Sequence, residues 1–172
     1  MKKLLLLFCF ITFGLNKTFC QQKLSVNIGG QYLVNTLDLT VDYSGILLNI
    51  GGEYKLSRIL TTAIDLGVLG NENSGNDNIR FTSLSLDPVR VYFSEAMSGA
   101  FVAPRALLTT ASDESGDSII QFSPGIALGF SYSPPDLPIS IGINVSAHHG
   151  VAEGSSGDTF GGQGIFTIGY RL

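Results

Sequence analysis

The chain has 172 residues, ten basic and fourteen acidic side chains, two cysteines and no tryptophan. That length sets one domain as the prior, and the acidic balance argues against nucleic acid as a partner. Mean hydropathy is positive, yet no apolar run after residue 20 is long enough for a membrane helix, which needs roughly 20 residues.

Residues 1–20 read as a secretory signal peptide. Lys2 and Lys3 supply the positive start, and Leu4 to Leu15 is an apolar stretch too short to span a bilayer. Cleavage after Cys20 leaves a domain at 21–172. A lipid anchor on Cys20 is disfavoured because Phe19 before it is large. The cut removes Cys9 and Cys20, so a disulfide framework is excluded. It also removes Lys2, Lys3 and Lys17, leaving seven basic against fourteen acidic residues, a net −7.

After residue 22 the apolar period is two. The first strand, 23–35, sets Val26, Ile28 and Tyr32 against Ser25, Asn27 and Gln31. The second, 45–56, sets Ile46, Leu48, Ile50 and Tyr54 against Asn49, Glu53 and Lys55. The third, 58–69, sets Leu60, Ile64 and Leu66 against Thr61, Ala63 and Asp65. The fourth, 79–93, is irregular: Phe81 and Phe93 share a parity that Leu84 and Leu86 do not. Asp87-Pro88 is the expected place for a bulge that shifts the face. The fifth, 99–111, sets Val102, Pro104 and Leu108 against Ala103, Arg105 and Thr109. The sixth, 118–132, sets Phe122, Ile126, Leu128 and Phe130 against Gln121, Ser123 and Ala127. The seventh, 138–148, alternates Ile139, Ile141, Ile143 and Val145 with Ser140, Asn144 and Ser146. The eighth, 159–172, ends in Phe166, Ile168 and Tyr170. Pro104 and Pro124 need a bulge or a lost ladder bond, since proline has no N–H.

Eight long strands, each with one apolar and one small polar face, predict an all-β protein: an eight-stranded antiparallel up-and-down transmembrane β-barrel. Its apolar face would turn outward to lipid, and side chains would fill its lumen. Short connections at 55–58, 94–98 and 133–138 alternate with longer, polar ones at 36–44, 70–78, 112–117 and 149–158. That alternation predicts an outer-membrane protein with both termini in the periplasm. Aromatics spaced for the two interfaces form the expected girdle: Tyr54, Phe81, Phe93, Phe122, Phe130, Tyr132, Phe160 and Tyr170.

The mature chain resembles the small OmpA/OmpX-type outer-membrane β-barrel domain proteins of Gram-negative bacteria. The carriers are Pro88-Val-Arg-Val-Tyr-Phe93 before a short turn, the start Gly99-Ala-Phe-Val102, and the end Gly169-Tyr-Arg-Leu172. That end is similar to the C-terminal signal read by the barrel-assembly machinery, although Leu172 stands where the family usually has an aromatic. The resemblance implies an architecture and no shared catalytic residues.

Three groups invite chemistry. Glu53, Lys55, Asp65, Arg90, Arg105 and Arg171 fall on the polar face and are expected to plug the lumen as ion pairs, since buried charges must pair. A gated pore is the alternative. Glu72, Asp77, Asp113, Glu114, Asp117, Glu153 and Asp158, with Asp38 and Asp42, make the outer connections acidic. They are expected to be solvated, or to meet lipopolysaccharide through divalent cations or a basic partner. Asn71 to Asn78 lacks a full EF-hand pattern. His148 and His149 point to opposite faces of a strand and do not converge on a metal. Ser146, His148 and Glu153 are the one set to test for a lipid-modifying enzyme, but Ser146 and His148 share the inward face. Gly51-Gly52 and Gly161-Gly162 lack the strand-to-helix setting of a phosphate loop. No cofactor is expected. The function expected is structural or adhesive and non-enzymatic. A narrow pore is the runner-up, ahead of a lipid-modifying enzyme and a soluble lipocalin-like barrel.

Overall fold

The computed structural model describes residues 23–37, 41–74, 77–112, 118–134, 136–152 and 158–172. Alternation of period two carries through to eight strands: β1 (Leu24–Leu37), β2 (Val41–Lys55), β3 (Leu60–Ser74), β4 (Asp77–Tyr92), β5 (Gly99–Ser112), β6 (Ser118–Tyr132), β7 (Ile139–Ala152) and β8 (Asp158–Arg171). Each pairs antiparallel with the next, and β8 pairs back to β1, so the sheet closes into a barrel with no free edge. No helix occurs among the described residues.

One end carries the chain termini and the β2–β3, β4–β5 and β6–β7 connections; we call it the turn end and the other the distal end. The strands run into all four stretches expected as polar distal loops. The β1–β2 register continues unbroken to Leu37↔Val41, and the β3–β4 ladder reaches Ser74↔Asp77. Polar side chains do not stop a ladder that still satisfies backbone N–H and C=O groups. The distal end therefore differs from the turn end in strand extension rather than in connection length.

The outward face is apolar. Val26, Ile28, Ile46, Ile50, Ile64, Leu86, Ile126, Leu128, Ile143 and Ile168 all stand exposed. The inward face holds the buried polar residues, among them Asn49, Asp65, Ser83, Arg105, Gln121 and Gln163. The inward face is less uniformly polar than expected. Leu33, Leu47, Phe81 and Leu107 point in and pack together.

Strand β4 shows why. Phe81, Ser83, Ser85 and Asp87 are buried, and then Arg90 and Tyr92 are. Parity changes between Asp87 and Arg90, where the β3–β4 register shifts between Thr61 and Ala63, and the β4–β5 register shifts between Leu86 and Val91. Pro88 sits in this bulge, and Pro104 lies on β5 opposite it. Pro124 faces the stretch of the β6–β7 ladder between Phe122 and Gly125 where no pairs form. The prolines thus fall where a missing N–H costs least.

The β1–β8 seam sets a sharp local test. A Cβ on Gly29 would lie 1.8 Å from the Phe166 carbonyl oxygen, whereas one on Gly30 would meet nothing within 4 Å. Gly29→Ala is expected to lower unfolding stability by about 1–3 kcal/mol, and Gly30→Ala to leave it nearly unchanged. Urea titrations followed by circular dichroism would check the pair; equal effects would mean that the seam is looser than described.

Candidate functional site

The lumen is built in layers. Nearest the turn end, Ser25, Asn27 and Ser131 line it, and the β4–β5 turn tucks the side chain of Met97 against them. Met97 takes a left-handed backbone (φ 64°) and Gly99 a φ of 100°, a combination that folds the turn back under the barrel. The turn is pinned by Ser133 Oγ donating to the Met97 carbonyl (2.9 Å) and by Ala96 N–H donating to the Arg58 carbonyl (2.7 Å).

Above it lies a ring of charge. Arg90 and Arg105 enter from β4 and β5 and meet at Asp87. Arg105 donates to Asp87 through Nε (2.7 Å) and Nη2 (2.7 Å), and Arg90 through Nε (2.8 Å). Arg90 reaches on to Glu53 (3.1 Å) and Asp65 (3.3 Å) with its two terminal nitrogens. Thr61 and Tyr92 hydroxyls both donate to Glu53 Oε1, at 2.6 and 2.7 Å. Asn49 Nδ2 donates to Asp65 (3.1 Å). Arg105 Nη1 finishes on Asn144 (2.8 Å) and Gln163 (2.9 Å). Phe101 backs the network, its ring 4.8 Å from the Arg90 guanidinium and 5.1 Å from the Tyr92 ring. Such forked, charge-assisted bonds are the form in which buried charge is tolerated.

Toward the distal end the lumen turns apolar at Leu33, Leu47, Phe81 and Leu107. The bore is therefore occluded twice, by ions and by hydrocarbon. His148 is buried here with no hydrogen-bond partner for either ring nitrogen, and Ser146 binds Arg105 and Gln163 instead of a catalytic base.

The fold thus gathers Glu53, Asp65, Arg90 and Arg105 into one site. Lys55 and Arg171 do not join them. Lys55 sits at the turn-end rim 3.6 Å from Glu95, and Arg171 donates to the carbonyls of Pro134 and Leu137. They share the inward parity but lie beyond the last layer of the lumen. Asp87 and Tyr92 are members that alternation alone misses. Reading Asp87-Pro88 as a completed parity switch brings both inside.

Tyr54, Phe93, Phe130, Tyr132 and Tyr170 face outward near the turn end, and Phe122 and Phe160 outward toward the distal end. Phe81 is a correction: it is only 4% exposed and belongs to the lumen plug, because the bulge separates its parity from that of Phe93. Of the acids expected in distal loops, Asp42, Glu72, Asp77 and Asp158 lie on strands. Asp38, Asp113, Glu114, Asp117 and Glu153 fall outside the described residues. His148 points in while His149 points out, edge-on to Phe160. Among the described residues no group of three His, Cys, Asp or Glu could hold a metal. Gly51, on β2, makes room for the network: a Cβ there would lie 2.1 Å from Asp65 Oδ1.

The closed antiparallel architecture is shared with known structures. The fold is that of the small eight-stranded outer-membrane barrels. Neisserial surface protein A (NspA) superposes with a TM-score of 0.65 at 15% identity, covering 87% of this chain and 97% of that one. Ail, the attachment invasion locus protein of Yersinia pestis, gives 0.59 at 11% identity, covering 88% and 99%. Ail in complex with the heparin analogue sucrose octasulfate gives 0.55 at 15% identity, covering 88% and 100%. No family model matches the chain, and the search of curated proteins returns no match.

Proposed function

We propose that this chain is a non-enzymatic outer-membrane barrel whose work is done at its distal rim, as a surface-contact or adhesive protein. The observation that carries the reading is the pairing of an outward apolar wall with an occluded bore. Ile46, Phe93, Phe122, Ile126 and Phe160 would be costly in water and suit hydrocarbon. A lumen crossed by five interlocked charges and four apolar side chains supports neither conduction nor a cavity for a hydrophobic ligand. What remains is the distal end, where the strands extend and acids cluster in the sequence. The attachment role in the name of Ail and the surface location in the name of NspA are compatible with it. The acids point to a basic partner surface, or to lipopolysaccharide phosphates bridged by divalent cations, in contrast to the polyanionic sulfate bound by Ail. In this reading both termini are periplasmic and the barrel-assembly machinery inserts the chain.

The test is a boiled-against-unboiled gel of detergent-extracted outer membranes, paired with whole-cell adhesion to a cationic surface. A heat-shifted band in the outer membrane and adhesion lost on neutralising Glu72, Asp77 and Asp158 are expected. A soluble periplasmic protein would sink the membrane reading. A shifted band with unaltered adhesion would sink the role of the acids.

A further inference from the structure

The basic residues are not spread over the barrel. Seven follow residue 22: Arg90 and Arg105 are in the lumen, Arg80 lies toward the distal end of β4, and Lys23, Lys55, Arg58 and Arg171 gather at the turn end. Arg171 is spent on the carbonyls of Pro134 and Leu137. The other three lie around the β2–β3 turn, where the Lys55 N–H donates to the Lys23 carbonyl (2.7 Å). Leu172 N–H donates to the Leu24 carbonyl, so the last residue lies beside Lys23. Lys55 and Arg58 face Glu95, which is 3.6 Å from Lys55. The Arg58 side chain is exposed and meets no partner among the described residues. The turn therefore carries a net positive charge, while the distal end is acidic in the sequence.

The same turn is apolar on its outer surface. Leu56 and Ile59 are 49% and 41% exposed, and Phe93, just past the end of β4, is 74% exposed. Its backbone asks little of water. Leu56 and Ser57 N–H both donate to the Leu60 carbonyl (2.9 and 3.0 Å), and Ser57 Oγ accepts from the Leu60 N–H (3.2 Å). The Arg58 and Ile59 carbonyls accept from Ala96 and Tyr92 (2.7 and 2.8 Å), which seats the turn against the β4–β5 turn beside Phe93. Backbone satisfied in this way can enter a lipid interface without an unpaired polar group. Long cationic side chains among apolar ones reach back toward the headgroups, and a guanidinium fork matches a phosphate.

We propose that the β2–β3 turn is a docking site for an anionic phospholipid of the leaflet that meets the turn end. Leu56, Ile59 and Phe93 lie against the acyl chains just below the headgroup, and Arg58, with Lys55, holds the phosphate. Two observations select this occupant. Leu56 shares the outward parity of Ile46, Leu48, Ile50 and Tyr54, so the apolar patch prolongs the lipid-facing wall, and what covers the wall covers the patch. The charge at its edge is positive, which attracts anionic lipid. The inference rests on the outer-membrane reading above and adds a lipid preference at the end opposite the acidic rim.

The chain has no tryptophan, so Leu56→Trp supplies a single reporter. The refolded mature barrel is placed in phosphatidylcholine vesicles containing about one-fifth phosphatidylglycerol, with bromine, a contact quencher of tryptophan, on the acyl chains of one lipid or the other. At low salt the reporter is expected to see phosphatidylglycerol enriched at least about twofold over its bulk fraction. Adding Arg58→Gln and Lys55→Gln should return the fraction to the bulk value, as should high salt. Ile59→Trp is the second reporter if the first variant does not refold. Ile126→Trp, on the wall away from charge, should be quenched by both lipids in bulk proportion. Bulk proportion at the turn reporter, no quenching there while Ile126→Trp is quenched, or an enrichment that survives loss of both cations would each overturn the site. An Ile126→Trp reporter quenched by neither lipid would overturn the membrane reading itself, and the site with it.

Discussion

Arg105→Met is expected to lower the stability of the barrel by about 3–5 kcal/mol, the usual cost of stripping one partner from a buried ion pair. The side chain is the centre of the plug. It holds both oxygens of Asp87 through a fork and spends its remaining nitrogen on Asn144 and Gln163. Without it Asp87 keeps only Arg90, and two amide oxygens lose a charged donor. Arg105→Lys should fall between the variant and wild type, because an ammonium cannot reproduce the two-point contact with a carboxylate. The pair at the rim provides the control. Lys55 and Glu95 are 3.6 Å apart and part-exposed, so Lys55→Met should cost no more than about 1 kcal/mol. Urea unfolding in lipid vesicles, read by circular dichroism, checks all three. A loss from Arg105→Met as small as that from Lys55→Met would mean that water reaches the network and that the bore is not sealed.

Much of this architecture is legible in the sequence because a barrel wall with lipid on one side and a crowded lumen on the other imposes a strict period of two. Ile46, Leu48 and Ile50 against Leu47 and Asn49 show both the power and the limit of the rule. Alternation places Leu47 on the inward face with Asn49, but a reading that expects a polar lumen passes over an apolar residue there. Leu33 and Leu107 are hidden in the same way. The β4 bulge is the other blind spot. Asp87-Pro88 marks its place, yet the number of residues it absorbs depends on the registers of β3 and β5, which are non-local. That uncertainty sent Phe81 to the girdle and left Asp87 and Tyr92 out of the network. The strand extensions were illegible for a third reason: Asn, Asp and Gly read as loop, while pairing with a neighbour holds them extended.

Ile126→Arg separates the two solvents that this wall could face. Ile126 stands midway between Phe122 and Phe130 on β6, with 62% of its surface exposed, flanked across the ladders by Pro104 and Ala147. In a water-soluble barrel an exposed position of that kind tolerates substitution within about 0.5 kcal/mol, and arginine would improve solubility. In a membrane the same change sets a guanidinium near the midplane, at a cost of about 2–4 kcal/mol, falling to about 0–1 kcal/mol near an interface. Phe93→Arg, at the turn-end girdle, should therefore cost much less, although Phe93 is the more exposed of the two at 74%. Burial arithmetic cannot produce that ordering; only depth in hydrocarbon does. Unfolding midpoints of both variants in vesicles give the comparison directly. If Ile126→Arg is neutral, or if Phe93→Arg is the costlier change, the apolar wall does not lie against lipid at this height, and the axis of the barrel relative to the bilayer would have to be redrawn.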